Sequence, residues 1–155
     1  MIIKIVNIEA IKVAALEHLD EPEKLTQTIE RFKAWSRESG FSPITEKRTF
    51  GVAHSNPEAR PVQKFRFDIC GEVDADIPEN RYGVLNKVIA GGRCALLRHK
   101  GPHETIDVKV KTLYRSWLPA SDEARRDAPI FFEYLNPGTT VPESGLITDI
   151  YLPLK

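Results

Sequence analysis

Cysteine, one-signed charge and long apolar runs are what this chain lacks. It has two cysteines in 155 residues, Cys70 and Cys94. Each sits in an apolar or alternating stretch, which predicts two buried reduced thiols rather than a disulfide, because free Cys behaves as a small hydrophobe. Lys plus Arg and Asp plus Glu both count 22, so the formal net charge is zero. With no basic excess or stripe to neutralise phosphates, direct binding of DNA or RNA is not expected. The longest apolar stretches, such as Pro129 to Leu135, fall well short of the ~20 residues a bilayer requires. The amino terminus has no charged-then-apolar signal pattern, so a soluble, cytoplasmic protein without membrane contact is expected.

The usual catalytic signatures are missing as well. There is no glycine-rich phosphate loop, no CxxC pair, no HExxH and no GxSxG elbow, and no cofactor is expected. His99 and His103 are four apart, but Gly101-Pro102 between them denies the pair a common helical face, which argues against a metal site. Met1-Ile2-Ile3-Lys4-Ile5 opens the chain without a helix-turn-helix, so in a regulatory role the DNA-reading part would be on another chain.

An internal repeat is present instead. Sliding the second half back by about 81 positions lays Ala95-Leu96-Leu97-Arg98-His99 on Ala14-Ala15-Leu16-Glu17-His18, and Ile130-Phe131-Phe132-Glu133-Tyr134-Leu135 on Thr49-Phe50-Gly51-Val52-Ala53-His54. The same shift lays Gly145 to Ile150 on Lys64 to Ile69. One position later in register, Tyr114-Arg115-Ser116-Trp117 falls on Phe32-Lys33-Ala34-Trp35, so the only two tryptophans match. Two similar units, about 1–78 and 79–155, are implied. Each alone would leave an apolar sheet face partly uncovered, so both are expected to share one core in a single domain.

Within the first unit the pattern predicts a strand over Ile11 to His18. Asp20 is a candidate N-cap with Glu23 as its capping-box partner and Pro22 in the first turn. A helix with Leu25, Ile29, Phe32 and Trp35 on one face then stops at Gly40. Strands are expected over Arg48 to His54 and Gln63 to Val73, the latter alternating in Phe65-Arg66-Phe67-Asp68-Ile69. The second unit repeats this with a strand over Arg93 to His99 and a helix opened by Gly101-Pro102. Ile106, Val110, Leu113, Tyr114 and Trp117 share its buried face, Pro119 ends it, and strands follow over Pro129 to Asn136 and Leu146 to Leu154. Ser55 to Pro61 and Asn136 to Gly145 read as exposed connections.

The chemistry must rest on a pocket. In Pro129-Ile130-Phe131-Phe132-Glu133-Tyr134-Leu135-Asn136 a single carboxylate sits in an aromatic strand, and Glu133 faces the opposite side from Phe132 and Tyr134. If that side is an apolar cavity, Glu133 selects a cation framed by aromatic faces; if it is solvent, Glu133 is a surface polar residue. Candidate ligand-binding residues are Glu133, Trp117, Tyr134, Tyr114, Phe132, Phe131 and Trp35, in a cleft where the two units meet.

Several motifs in order, Gly91-Gly92-Arg93-Cys94-Ala95, His99-Lys100-Gly101-Pro102, Leu113 to Pro119, Arg126-Asp127-Ala128-Pro129, Tyr134-Leu135-Asn136-Pro137 and Thr148 to Pro153, resemble the GyrI-like family over essentially the whole chain. That family includes gyrase-inhibitory proteins and effector-binding halves of AraC-type and MerR-type regulators. The resemblance implies an α+β fold of two βαββ-like units about a pseudo-twofold, with antiparallel sheets forming a concave channel and the two main helices packed outside. It implies a small hydrophobic or cationic ligand, DNA gyrase as a possible protein partner, a monomer or weak dimer, and, in some relatives, hydrolysis of strained cyclopropane-bearing compounds. Relatives commonly carry Phe-Glu-x-Tyr where this chain has Phe131, Phe132, Glu133 and Tyr134. The usual glutamate position is Phe132, which implies a neutral, aromatic-lined pocket. Glu133 matches a second glutamate seen in some relatives.

Overall fold

A computed structural model describes residues 2–55, 64–137 and 141–155. The expected connection 56–61, Gln63 and positions 138–140 lie outside the described residues. Strands β1 (Ile3–Ile8) and β2 (Ile11–His18) precede helix α1 (Leu25–Ser39), followed by β3 (Thr49–Ala53) and β4 (Phe67–Glu72). The second half repeats the series: β5 (Leu85–Ile89), β6 (Gly92–Lys100), helix α2 (Ile106–Thr112) continuing through α3 (Leu118–Ala120), then β7 (Ile130–Tyr134) and β8 (Ile147–Pro153). Helical structure thus runs one residue past Pro119. The fold is α+β, with one eight-stranded antiparallel sheet and two main helices.

Strand order is β1-β6-β8-β7-β3-β4-β2-β5. Exchanging each strand with its partner in the other half reverses this order onto itself, which places a pseudo-twofold between β3 and β7. Each unit also has one strand more than the pattern predicts, at its front, and that strand is exchanged between halves. β1 pairs with β6, Ile3 opposite Leu97, and β5 pairs with β2, Ile11 opposite Ile89.

This exchange forces curvature. β1 and β2 are six places apart, about 29 Å in a flat sheet, yet Ile8 and Ile11 are joined by a link that spans about 11 Å at most. The sheet must therefore curl until its ends approach. The two links cross in contact at Gly91, where an added Cβ would stand 2.7 Å from the Ala10 nitrogen and 2.8 Å from the Ile8 carbonyl oxygen.

The cores follow the curl. One apolar cluster draws residues from all eight strands and none from a helix: Ile11, Val13, Ala15, Phe50, Val52, Cys70, Ile89, Cys94, Phe131 and Tyr151 with Val6, Ile8 and Leu96. This is the inner face. On the outer face there are two clusters, one under each helix: Phe32 and Trp35 with β2 and β4, and Ile106, Val110 and Leu113 with β6, β7 and β8.

The single-residue slip in the repeat has a local cause. Leu25 and Ile106, the first residues of α1 and α2, are 81 apart, whereas Trp35 and Trp117 are 82 apart. Between them, residues Leu113–Trp117 form a π-helical turn, with the Leu118 amide donating to the Leu113 carbonyl five residues back. A π-bulge accommodates one inserted residue without breaking the helix.

The start of α1 departs from the expected capping box, and α2 begins in the same way. Pro22–Lys24 and His103–Thr105 are 3₁₀ turns, and neither helix has a side-chain cap. The Asp20 carboxylate accepts the adjacent Glu21 amide at 2.7 Å, so it is spent before the helix begins. Strand-end histidines hold these turns instead. His18 Nε2 lies 2.8 Å from the Glu21 carbonyl oxygen, and its repeat partner His99 has Nε2 3.0 Å from that of Pro102. A carbonyl can only accept, so Nε2 carries the proton in both rings. His18 Nδ1 then accepts from Thr28 Oγ1 at 2.7 Å. Thr28→Val would leave that buried nitrogen unmet, with an expected loss of about 1–2 kcal/mol in urea unfolding. Gly40 closes α1 at φ 78°, a left-handed position that suits glycine.

Candidate ligand-binding face

Cross-strand register decides which side chains meet on the inner face. Across the β7–β3 pair, Phe131 stands opposite Val52 and Glu133 opposite Phe50; across β7–β8, Phe131 stands opposite Tyr151 and Glu133 opposite Asp149. Phe131 stacks on Tyr151 with centroids 4.7 Å apart and meets Phe50 edge-on at 6.3 Å. Phe50 is 0% and Phe131 2% exposed, so the centre of the expected channel is filled by rings. Open space lies beyond these rings.

One cleft, of about 200 Å³, is bounded by Val52, Cys70, Phe131 and Pro129, with His54, Asp68 and Lys87 at its rim. A second, of about 340 Å³, lies at the β1–β2 link and is bounded by Ile8, Ile11, Glu9, Lys12, Arg48 and Glu72.

Charge on this face is paired and partly buried. The Arg48 guanidinium forks onto Glu133, Nε to Oε2 at 2.8 Å and Nη2 to Oε1 at 2.9 Å. Arg98 does the same to the neighbouring Asp149, at 2.8 and 3.2 Å. Without these forks the opposed carboxylates of Glu133 and Asp149 would repel. The Glu133 hydrogen bond is the main cause that raises the Arg48 pKa above its ordinary value. Burial, then the charge of Glu133 and Asp149, pushes the Tyr151 hydroxyl up to about 12, so it stays protonated, 3.5 Å from Glu133 Oε1. On the far side Asp68 accepts from His54 Nε2 at 2.8 Å and Lys87 Nζ at 2.9 Å, and Lys87 also reaches Glu17 at 2.8 Å. Cys70 and Cys94 are free and buried on the same face, and burial raises both thiols.

The structure separates the seven sequence candidates. Glu133 and Phe131 share the inner face. Phe132, Tyr134, Tyr114 and Trp117 pack on the outer side around α2, and Trp35 packs under α1. Position 132 therefore faces a helix. A phenylalanine there does not make the inner face neutral, because Glu133, Asp149 and Asp68 are all on it. Phe50, Arg48, Asp68 and Asp149 were not among the candidates, although the 81-residue shift that pairs Phe131 with Phe50 and Asp149 with Asp68 was available to find them. Among the described residues no group of three or more His, Cys, Asp and Glu could hold a metal ion. No helix among them is long and apolar enough to cross a membrane.

Known proteins fit this architecture. The model of the GyrI-like small molecule binding domain matches residues 1–155. The probable transcriptional regulator YgiV of Escherichia coli K12 is 45% identical over 152 residues, covering 98% of this chain and 95% of that protein. Among solved structures, the C-terminal domain of EcmrR superposes with a TM-score of 0.78 at 15% identity, covering 99% of this chain and 96% of that domain. In the EcmrR–DNA complex the TM-score is 0.80, and the chain spans 57% of the EcmrR chain. SAV2435, solved bound to tetraphenylphosphonium, superposes with a TM-score of 0.63 at 14% identity, covering 100% of this chain and 94% of that one. The whole-length match, together with the repeat and the exchanged strands, shows that the chain belongs to the GyrI-like family of small molecule binding domains.

Proposed function

We propose that this protein is an effector-binding module of transcriptional control that takes a small, largely apolar organic cation on the inner face, with Glu133 as counter-ion and Phe50, Phe131 and Tyr151 as the aromatic surround. The observation that carries this reading is the setting of Glu133. It is 9% exposed, flanked by aromatic rings, and neutralised by Arg48 from the edge of a cleft. A buried carboxylate beside ring faces favours a cation that can shed its water, as a large organic cation does more easily than a metal ion. The likeness to SAV2435, solved with such a cation, supports the ligand class, and the name of YgiV supports the regulatory setting. The exchanged β1 and β5 support residues 1–155 acting as one binding unit. Hydrolysis gains no support, because both Glu133 oxygens are occupied by Arg48, which disfavours the carboxylate as a base.

Titration calorimetry with tetraphenylphosphonium and its neutral relative triphenylphosphine oxide tests this. Glu133→Gln is expected to weaken the cation about tenfold or more, in line with the loss of a desolvated charge contact, and to leave the neutral compound within about twofold. Cation affinity indifferent to this substitution would sink the assignment. Tryptophan fluorescence is a poor reporter here, since Trp35 and Trp117 both pack on the helix side.

A further inference from the structure

We propose that Arg48 is a built-in competitor for this site: it occupies the cation position on Glu133 and Phe50, and it must swing into the adjoining cleft before an organic cation can bind. This deepens the reading above and rests on it.

The parts of an aromatic cation site are a carboxylate, a ring face and a cation, and here the chain supplies all of them. Arg48 holds both Glu133 oxygens, and its guanidinium carbon stands 4.9 Å from the Phe50 ring centroid. The two partners differ in freedom. The Glu133 side chain is 12% exposed and fixed within a strand, whereas the Arg48 side chain is 44% exposed and precedes β3. Arg48 also forms part of the wall of the 340 Å³ cleft, so a rotation about its side-chain bonds carries the guanidinium into open space. Glu72 stands in the same cleft and already accepts the Arg48 backbone amide at 3.3 Å, which gives the displaced charge a second carboxylate to settle on.

The internal repeat supplies a control. Under the 81-residue shift Arg48 corresponds to Pro129 and Glu133 to Val52, so the other end has the same backbone without the pair. Pro129, Val52 and Phe131 there border the open 200 Å³ cleft. No arginine stands at that cleft, whose charged residues are Lys87 and Asp68; at this end the arginine lies over the acid.

A competitor multiplies the apparent affinity by the fraction of time the site is open. Arg48→Gln is therefore expected to tighten tetraphenylphosphonium about tenfold or more in calorimetry. Combined with Glu133→Gln, the gain should vanish. Should the glutamine variant fail to fold because it leaves Glu133 unpaired, Arg48→Lys serves instead. It keeps a cation but loses the fork, and a smaller gain of the same sign is expected. Unchanged or weaker cation binding in the Arg48 variants, while Glu133→Gln still weakens the wild type, would overturn the competitor and leave the site standing. If Glu133→Gln is without effect on the cation in a chain where Arg48 is already glutamine, the site and its competitor both fall.

Discussion

Phe50→Ala is expected to cost about 3–5 kcal/mol of folding free energy, the range for deleting a fully buried phenylalanine. Phe50 is 0% exposed and sits beside the pseudo-twofold, opposite Glu133 on one neighbouring strand and Cys70 on the other. Its ring also meets Phe131 edge-on and supports the Arg48 guanidinium. The surrounding atoms belong to β3, β4 and β7, strands locked by ladder hydrogen bonds, so they cannot collapse far into the vacated volume, and the cavity penalty adds to the lost transfer energy. Urea unfolding reads the loss, with Phe50→Leu as a milder companion expected at about 1 kcal/mol. A loss below about 1 kcal/mol for the alanine variant would mean that the inner face is loosely packed and not a core at all.

That the ring at position 50 was absent from the candidate residues, while Phe131 was present, shows where the sequence stopped being informative. Strands β2, β3, β4, β6, β7 and β8 and the two helices were legible, because period, proline and glycine agree along them. β1 and β5 were not. Both are edge strands with one side open to solvent, and Ile5, Leu85 and Val88 are 43%, 44% and 63% exposed. Period-2 patterning fades where neither face is continuously buried. The exchange of these strands between halves was invisible for the same reason.

The site suffered from the opposite problem. Ile130, Phe131, Phe132 and Glu133 are all buried, since helices cover one side of the sheet and the curl closes the other. A strand buried on both faces has no polar side to mark the outside. The opposition of Glu133 to Phe132 and Tyr134 could be read from alternation, but not which of them faced the helices. The repeat held the missing information. Equivalent positions share a face, and Phe32 and Trp35 already assigned the helix side in the first unit.

Asp68 is where acid should act. It is 3% exposed on the inner face. Burial alone would raise its pKa, but the hydrogen bonds from His54 and Lys87 outweigh that and hold the carboxyl below its ordinary value. A group whose pKa is lower folded than unfolded contributes stability that is fully present above the unfolded value, near 3.9, and lost as the pH falls through the lower folded value. Stability should therefore fall on acidification below about pH 4. Asp68→Asn should lose about 2–4 kcal/mol at pH 7, somewhat less than a fully buried pair because Lys87 is partly hydrated. It should also show a flatter acid limb, so that the two proteins converge toward pH 3. Asp149→Asn is the comparison. Its arginine partner has a side chain 62% exposed, and the expected loss is about 1 kcal/mol. Urea unfolding of all three proteins from pH 3 to pH 8 measures both quantities. Parallel acid limbs for wild type and Asp68→Asn would show that another group controls acid stability, and that the ion network around Asp68 is set by the packing of the sheet rather than supporting it.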